Sequence, residues 1–513
     1  MRKLLLILAV LAAVAGMGFA AGKTLVYGTT EKLTNLDPAE AYDFHTWEIF
    51  YNVYQGLLNY APGGTKLVPG MAESFSANAA GDEFTFKLRK GVKFTDGSPF
   101  NAQAVKWSID RGMALKGQPS WLITDFVDSV SVVDDNTVKF KLKFPCAYFD
   151  SLVASPPYYP ISPNIYPADK IVWDPSEMVG GQLVGLGAYK MTSFKRDEEV
   201  ILEANPSYWG KKPAIDRVVI RYYADATTLR LALEKGEVDV AFKTLNPSDI
   251  KDLSANKKYV TYKLPGPQIR YLCFETSESV FQNKLLRRAV AALINRPEIL
   301  QKVYLGQNSP LYSMVPNGMI YHADDFKTAM GDGNLSLADK LLAQAGYSAA
   351  KPFEFELWYT PSHYGDPEVN MAEVLKVQLE KSKLLKVSIK SAEWAAYKEK
   401  WKHKEMPAYL LGWYPDYIDP DNYTAAFAGT SGSIGMGINF SNKEWDELFL
   451  KEQSNADPKV RAGAFKEIQK RWTDEVPTVP IWQGDLFVFT KPSVKGVKIG
   501  PPLQFLYSEL SMQ

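Results

Sequence analysis

From Arg270 to about residue 480 the chain alternates apolar runs of strand length with runs of helical spacing, and this rhythm constrains the fold more than any other feature. Residues 285–303, 335–345 and 371–381 carry apolar side chains three and four apart, whereas 353–359 and 386–390 are short and strand-like. Helices that separate strands cover the faces of a sheet, so the expected class is α/β. Upstream, residues 24–28 read as a strand and 46–58 as a helix, while 84–88 and 137–142 alternate apolar and polar residues, with Asp96-Gly97 as turn chemistry. A proline-rich tract over 150–185 reads as loop. Strands return over 185–270, broken by a helix over 226–235 that ends at Gly236, a residue suited to a left-handed cap.

The N-terminus speaks to compartment. Arg2 and Lys3 precede an apolar run from Leu4 to Val14, and Gly18-Phe19-Ala20 forms a small-x-small cleavage site. Residues 1–20 are therefore expected to be a cleaved secretory signal peptide, because the run is shorter than the roughly 20 residues of a membrane span. No later stretch has the length and apolarity to span a bilayer. No cysteine lies near the cleavage site to accept a lipid, so the mature protein is expected to be periplasmic and unanchored. The two cysteines, Cys146 and Cys273, are expected to be buried free thiols.

Charge and motifs then exclude whole classes of function. Lys plus Arg and Asp plus Glu both number 58, so no net field attracts phosphate backbones or anionic lipid, and nucleic acid is not an expected partner. His45, His322, His363 and His403 show no metal-ligand spacing, and no cofactor or metal is expected. Neither a Gly-x-Ser-x-Gly elbow nor a phosphate-binding loop is present, and Gly432-Ser-Ile-Gly-Met-Gly reads as a flexible loop. Aromatics make up 13% of the chain, which suits a ligand cavity lined by flat side chains.

The informative motif is Gly412-Trp-Tyr-Pro-Asp-Tyr-Ile-Asp-Pro-Asp-Asn-Tyr423. It follows the apolar run Ala408-Tyr-Leu-Leu, so it is expected at the end of a buried strand, where open α/β sheets bind ligands. Pro415 and Pro420 stiffen a loop that presents carboxylates beside aromatic faces, a combination suited to a ligand ammonium. Asp419 and Asp421 read equally well as caps of local backbone, which leaves Asp416 as the expected binding carboxylate.

Here the residues carry a resemblance. Leu67-Val-Pro-Gly-Met-Ala-Glu-Ser-Phe, Phe84 to Phe100, Gly187-Ala-Tyr-Lys, Asn205-Pro-Ser-Tyr-Trp, Leu233 to Asp239, Arg287-Arg-Ala-Val-Ala, Leu341 to Tyr347 and Trp413 to Asp421 follow in the order seen in extracytoplasmic solute-binding proteins of family 5. The chain resembles the dipeptide- and oligopeptide-binding members. That resemblance implies a two-lobed, type II-like periplasmic binding protein fold (cluster C) with an extra subdomain in lobe one. Lobe one would be 21–269 plus 480–513, with the subdomain at about 60–180, and lobe two 270–479. The strand-like tract over 478–499 would pack on lobe one. The protein would be a monomer that captures peptides and hands them to the membrane permease of an ABC importer.

The resemblance also assigns residues. Asp416 would hold a peptide's α-ammonium, flanked by Trp413 and Tyr417. Trp394 would line a side-chain pocket, Tyr42 and Asp43 would contact peptide backbone, and Trp482 would sit in the cleft near the hinge. One departure bears on substrate: dipeptide-selective relatives have an arginine after the Leu-Trp-Tyr-x-Pro strand, whereas Leu357-Trp-Tyr-Thr-Pro is followed here by Ser362-His363-Tyr364. A ligand C-terminus would then stay in solvent or meet His363. This favours longer peptides or a ligand without a carboxylate, and oligosaccharides remain an alternative within the same transport role. An exported hydrolase and a peptide-binding chaperone or receptor adaptor are the competing classes.

Overall fold

Two strands are far longer than the rest. Val260–Phe274 spans 15 residues and Thr478–Thr490 spans 13, against about 5–6 for an ordinary strand. They pair antiparallel over almost their full length, with register shifts between Pro265 and Ile269 and between Arg270 and Tyr271. The computed structural model that shows this describes residues 22–172, 176, 182–243 and 245–513. The expected leader, residues 1–20, lies outside the described residues.

The length of these strands reflects double duty in an eleven-stranded mixed sheet. Its order is Leu385–Ser391, Phe353–Tyr359, Ala408–Trp413, Val260–Phe274, Thr478–Thr490, Val240–Phe242, Thr24–Thr29, Arg217–Tyr222, Glu199–Ala204 and Tyr189–Lys195, with Ser309–Pro310 joining Thr478–Thr490. The Ile269–Phe274 end of one long strand pairs with Ala408–Trp413, whereas the Val488–Thr490 end of the other pairs with Val240–Phe242. Each half of the sheet has its own core. Leu25, Trp47, Phe86, Ile220, Val488 and Ile499 belong to one, and Leu272, Leu357, Leu410, Trp472, Val479 and Ile481 to the other. The segment after residue 478, expected to pack on lobe one alone, therefore serves both cores. At the bulge the two strands cross so closely that a Cβ on Gly266 would meet the Gly484 carbonyl at 2.6 Å.

A second, four-stranded antiparallel sheet in the order Ala72–Ala77, Glu83–Leu88, Thr137–Leu142, Val127–Asp134 packs against the helix Ala102–Leu115. Its alternation is as the residues require: Phe84, Phe86, Leu88, Val138, Phe140 and Leu142 are buried. The helix Ala226–Lys235 ends at Gly236 with φ 76°, a left-handed cap. The run over 285–303 forms two helices, Lys284–Leu293 and Arg296–Tyr304, since Asn295 caps the second and Pro297 cannot continue the first. The expected loop at Gly432–Gly437 is instead largely helical, Thr430–Gly435. Its glycine allows close stacking, because a Cβ on Gly432 would lie 2.5 Å from the Ala425 carbonyl oxygen. Within the proline-rich tract Phe149–Val153 forms a short helix. Cys146 and Cys273 are free and buried.

Candidate functional site

Three elements converge between the two cores. Helix Phe44–Val53 starts at Asp43, whose Oδ1 accepts from the Thr46 amide at 2.8 Å, so Tyr42, Asp43 and Phe44 form a fixed corner. Strand Ala408–Trp413 delivers Tyr414 and Asp416 from the other half. The crossing strands supply Gln268, Trp482 and Gly484. Together they enclose a cavity of about 830 Å³ whose walls include Lys243, Tyr304, His363 and Asp485. A second cavity, about 290 Å³, shares Tyr42, Asp43, Phe44, His363 and Tyr414 with the first and runs on to Trp47, Trp394, Trp401, Trp413 and Asp416.

Asp416 is the chemically distinctive group of this wall. It is 6% exposed, and its Oδ2 has no hydrogen-bond partner. Burial pushes its carboxyl up to about 7, against the opposing hydrogen bonds from Tyr42 and Asn422. Its loop is tied by Asn422, whose Oδ1 accepts from the Trp413 Nε1 at 2.9 Å and from the Asp416 amide at 3.1 Å. Next door, Asp419 accepts two bonds from Arg461, at 2.9 and 2.6 Å, and Asp421 accepts from Tyr417 and Gln453. Those two aspartates are structural and Asp416 is left open. Among the described residues, no group of three or more His, Cys, Asp or Glu side chains is arranged to hold a metal ion.

The model of bacterial extracellular solute-binding proteins, family 5, matches residues 66–435. The chain belongs to this family. This solute-binding protein is 26% identical to the Dipeptide-binding protein of Escherichia coli K12, over 96% of this chain and 95% of that one. It is 27% identical to Heme-binding protein A of Haemophilus influenzae, over 94% and 91%. Its fold matches a dipeptide-binding protein from Pseudoalteromonas sp. SM9913, solved with Met-Leu, at a TM-score of 0.80 and 24% identity, over 96% of this chain and 100% of that chain. The two-lobed α/β architecture is that of the family.

The expected site residues of this solute-binding protein are mostly brought together. Asp416, Trp413, Trp394, Tyr42, Asp43 and His363 line the smaller cavity, and Trp482 lines the larger. Tyr417 is the exception. Its neighbour Asp416 faces the cavity, and Tyr417 points the other way, its ring stacked on Tyr148 at 5.1 Å and its hydroxyl donating to Asp421 at 2.7 Å. It bridges the two halves and lines neither cavity. Asp43 is spent on the helix cap and on Thr34, which donates to its other oxygen. His363 lies flat on Trp394, 4.0 Å between centroids. Burial, with Arg270 and Lys398 nearby, lowers its ring to about 4, so it is neutral at pH 7 and offers a ligand carboxylate no counter-charge.

Two buried cations escaped sequence reasoning. Lys243 follows a three-residue strand, has φ 65°, and pairs with Glu31 at 2.7 Å and Glu48 at 3.4 Å. Burial opposes its charge, but the two carboxylates outweigh it and hold the ammonium above its ordinary range. Arg270 packs its guanidinium on Tyr364 at 3.5 Å, with Glu368 at 3.5 Å from its Nε. Gly412 makes room for it, since a Cβ there would fall 2.1 Å from Nη1. The left-handed φ at a non-glycine residue is visible only in three dimensions, and an arginine inside an otherwise apolar strand, Ile269-Arg-Tyr-Leu-Cys-Phe, was the one signal available in sequence.

Proposed function

We propose that this protein captures peptides in the cleft between its two lobes and delivers them to the permease of an ABC importer, binding rather than transforming its ligand. The observation that carries this reading is the unpartnered, buried Oδ2 of Asp416 in an aromatic wall between the two halves. A peptide's α-ammonium supplies the missing charge and donors, and the aromatic faces receive apolar side chains. The relatives named for dipeptides support the ligand class. In this reading the lobes are about 21–269 with 480–513 and about 270–479, pivoting where Gly266 meets Gly484, and the four-stranded unit is a subdomain of the first. Ligand touching both lobes stabilises the closed form by its differential affinity for it. The mature protein is a periplasmic monomer, exported by residues 1–20 and free of lipid.

The test is titration calorimetry of Asp416→Asn against the unaltered protein. A loss of roughly 3–5 kcal/mol of peptide affinity is expected, since the ligand ammonium would be buried without a counter-charge. Binding of oligosaccharides with silence from every peptide would overturn the ligand class, and an unchanged peptide affinity would remove Asp416 from its role.

A further inference from the structure

Behind the crossing strands lies a cavity that the peptide cleft does not account for. Along Thr478–Thr490, Trp482 and Gly484 line the large cavity, whereas Gln483 between them lines a separate one of about 370 Å³. Neighbouring strand residues point to opposite faces, so this cavity is on the far side of the two strands from the cleft. Among the described residues it shares no wall with either cavity of the cleft. Both halves of the molecule enclose it, since Tyr148 belongs to one core and Tyr423 to the other.

The charges in its wall do not balance. Arg461 is committed to its own network, donating to Asp419 at 2.9 and 2.6 Å and to the Glu452 carboxylate at 3.0 Å. Asp150 is the carboxylate left over. Its Oδ1 accepts from the Ser151 amide at 2.8 Å, and no ion pair reaches it among the described residues. Burial raises its carboxyl above the ordinary range, against the opposing pull of that amide and of Arg461. A ligand that brings a positive charge and N–H donors satisfies such a group, whereas an anion meets like charge.

Size and surface narrow the occupant further. Met319, Ile418 and Ile320 give the cavity an apolar side, and Ile320 is 56% exposed at this point. An apolar cavity of about 150 Å³ already holds benzene, so 370 Å³ admits a ring with a short stem. We infer that this cavity is a second binding site, for a small organic amine whose apolar body is about the size of a phenyl ring. The ammonium donates to Asp150 and the body lies against Met319, Ile320 and Ile418. A bound amine touches both halves and so stabilises them in this arrangement, which places the site to act on the pivot from behind.

Calorimetric titration of Asp416→Asn with 2-phenylethylamine tests this, the substitution removing the competing carboxylate of the cleft. One saturable equivalent is expected, and adding Asp150→Asn is expected to weaken it at least about tenfold. 2-Phenylethanol keeps the ring and lacks the charge, and is expected to bind Asp416→Asn at least about tenfold more weakly than the amine. No saturable binding of the amine, or equal binding with and without Asp150→Asn, would overturn the inference. Neither result touches the peptide reading, which rests on titration with peptides. Should the doubly substituted protein fail to fold, the amine-to-alcohol affinity ratio decides, and a ratio near one refutes the site.

Discussion

At the scale of single residues the site is a problem of buried charge. Asp416 has its carboxyl raised to about 7 by burial, whereas an unfolded aspartate titrates near about 3.9. The folded protein therefore holds a proton that the unfolded chain has lost between these values, and this group's contribution to stability falls as pH rises through that window. Ligand ammonium needs the ionised form. Peptide affinity is expected to climb with pH, by up to about tenfold per unit below 7, and to level off above it; calorimetry across pH 5–9 checks this, and Asp416→Asn should flatten the profile. Elsewhere Arg461 is held by Asp419 and Glu452, with all three buried. Asp419→Ala removes the bidentate partner and is expected to cost about 3–5 kcal/mol in chemical unfolding. Asp416→Asn should change stability far less, because Oδ2 has no partner to lose. Three aspartates within six residues look alike in sequence, and only their partners separate one binding group from two structural ones.

Among the elements, the crossing strands show where local pattern stops being informative. Ile269–Phe274 and Thr478–Gln483 are buried throughout, as inner strands are, although Pro265, Gly266, Pro267 and Gly484 are residue types that weaken a strand interior. In the structure they are a bulge inside continuous pairing, where one backbone passes within van der Waals reach of the other. Gly266→Ala is expected to lower stability by about 1–3 kcal/mol, because a backbone carbonyl cannot swing aside as a side chain does. A urea midpoint unchanged from the unaltered protein would show that the crossover tolerates a Cβ. Short helices were the least legible elements. Thr430–Gly435 contains two glycines, Gly432 and Gly435, and follows a third, Gly429, at its N-cap; it is helical through packing on Ala425–Ala428 rather than through propensity.

For the whole molecule, the cleft lies between two separately packed cores joined by the long strands, and ligand bridging is expected to favour a closed form. Small-angle scattering should show a smaller radius of gyration on adding saturating peptide, with no such change for Asp416→Asn at the same concentration. The strand and helix periods and the family-length run of motifs were determined by sequence, because each depends on neighbours a few residues apart. Contacts between distant residues were decided by the tertiary structure alone. Arg270 lies on a strand beside Gly412, Lys243 sits between Glu31 and Glu48, and Tyr417 crosses to Tyr148. Nothing in the spacing of such residues marks their meeting, since long-range pairing is set by how two cores pack around shared strands and by which buried polar groups find partners there.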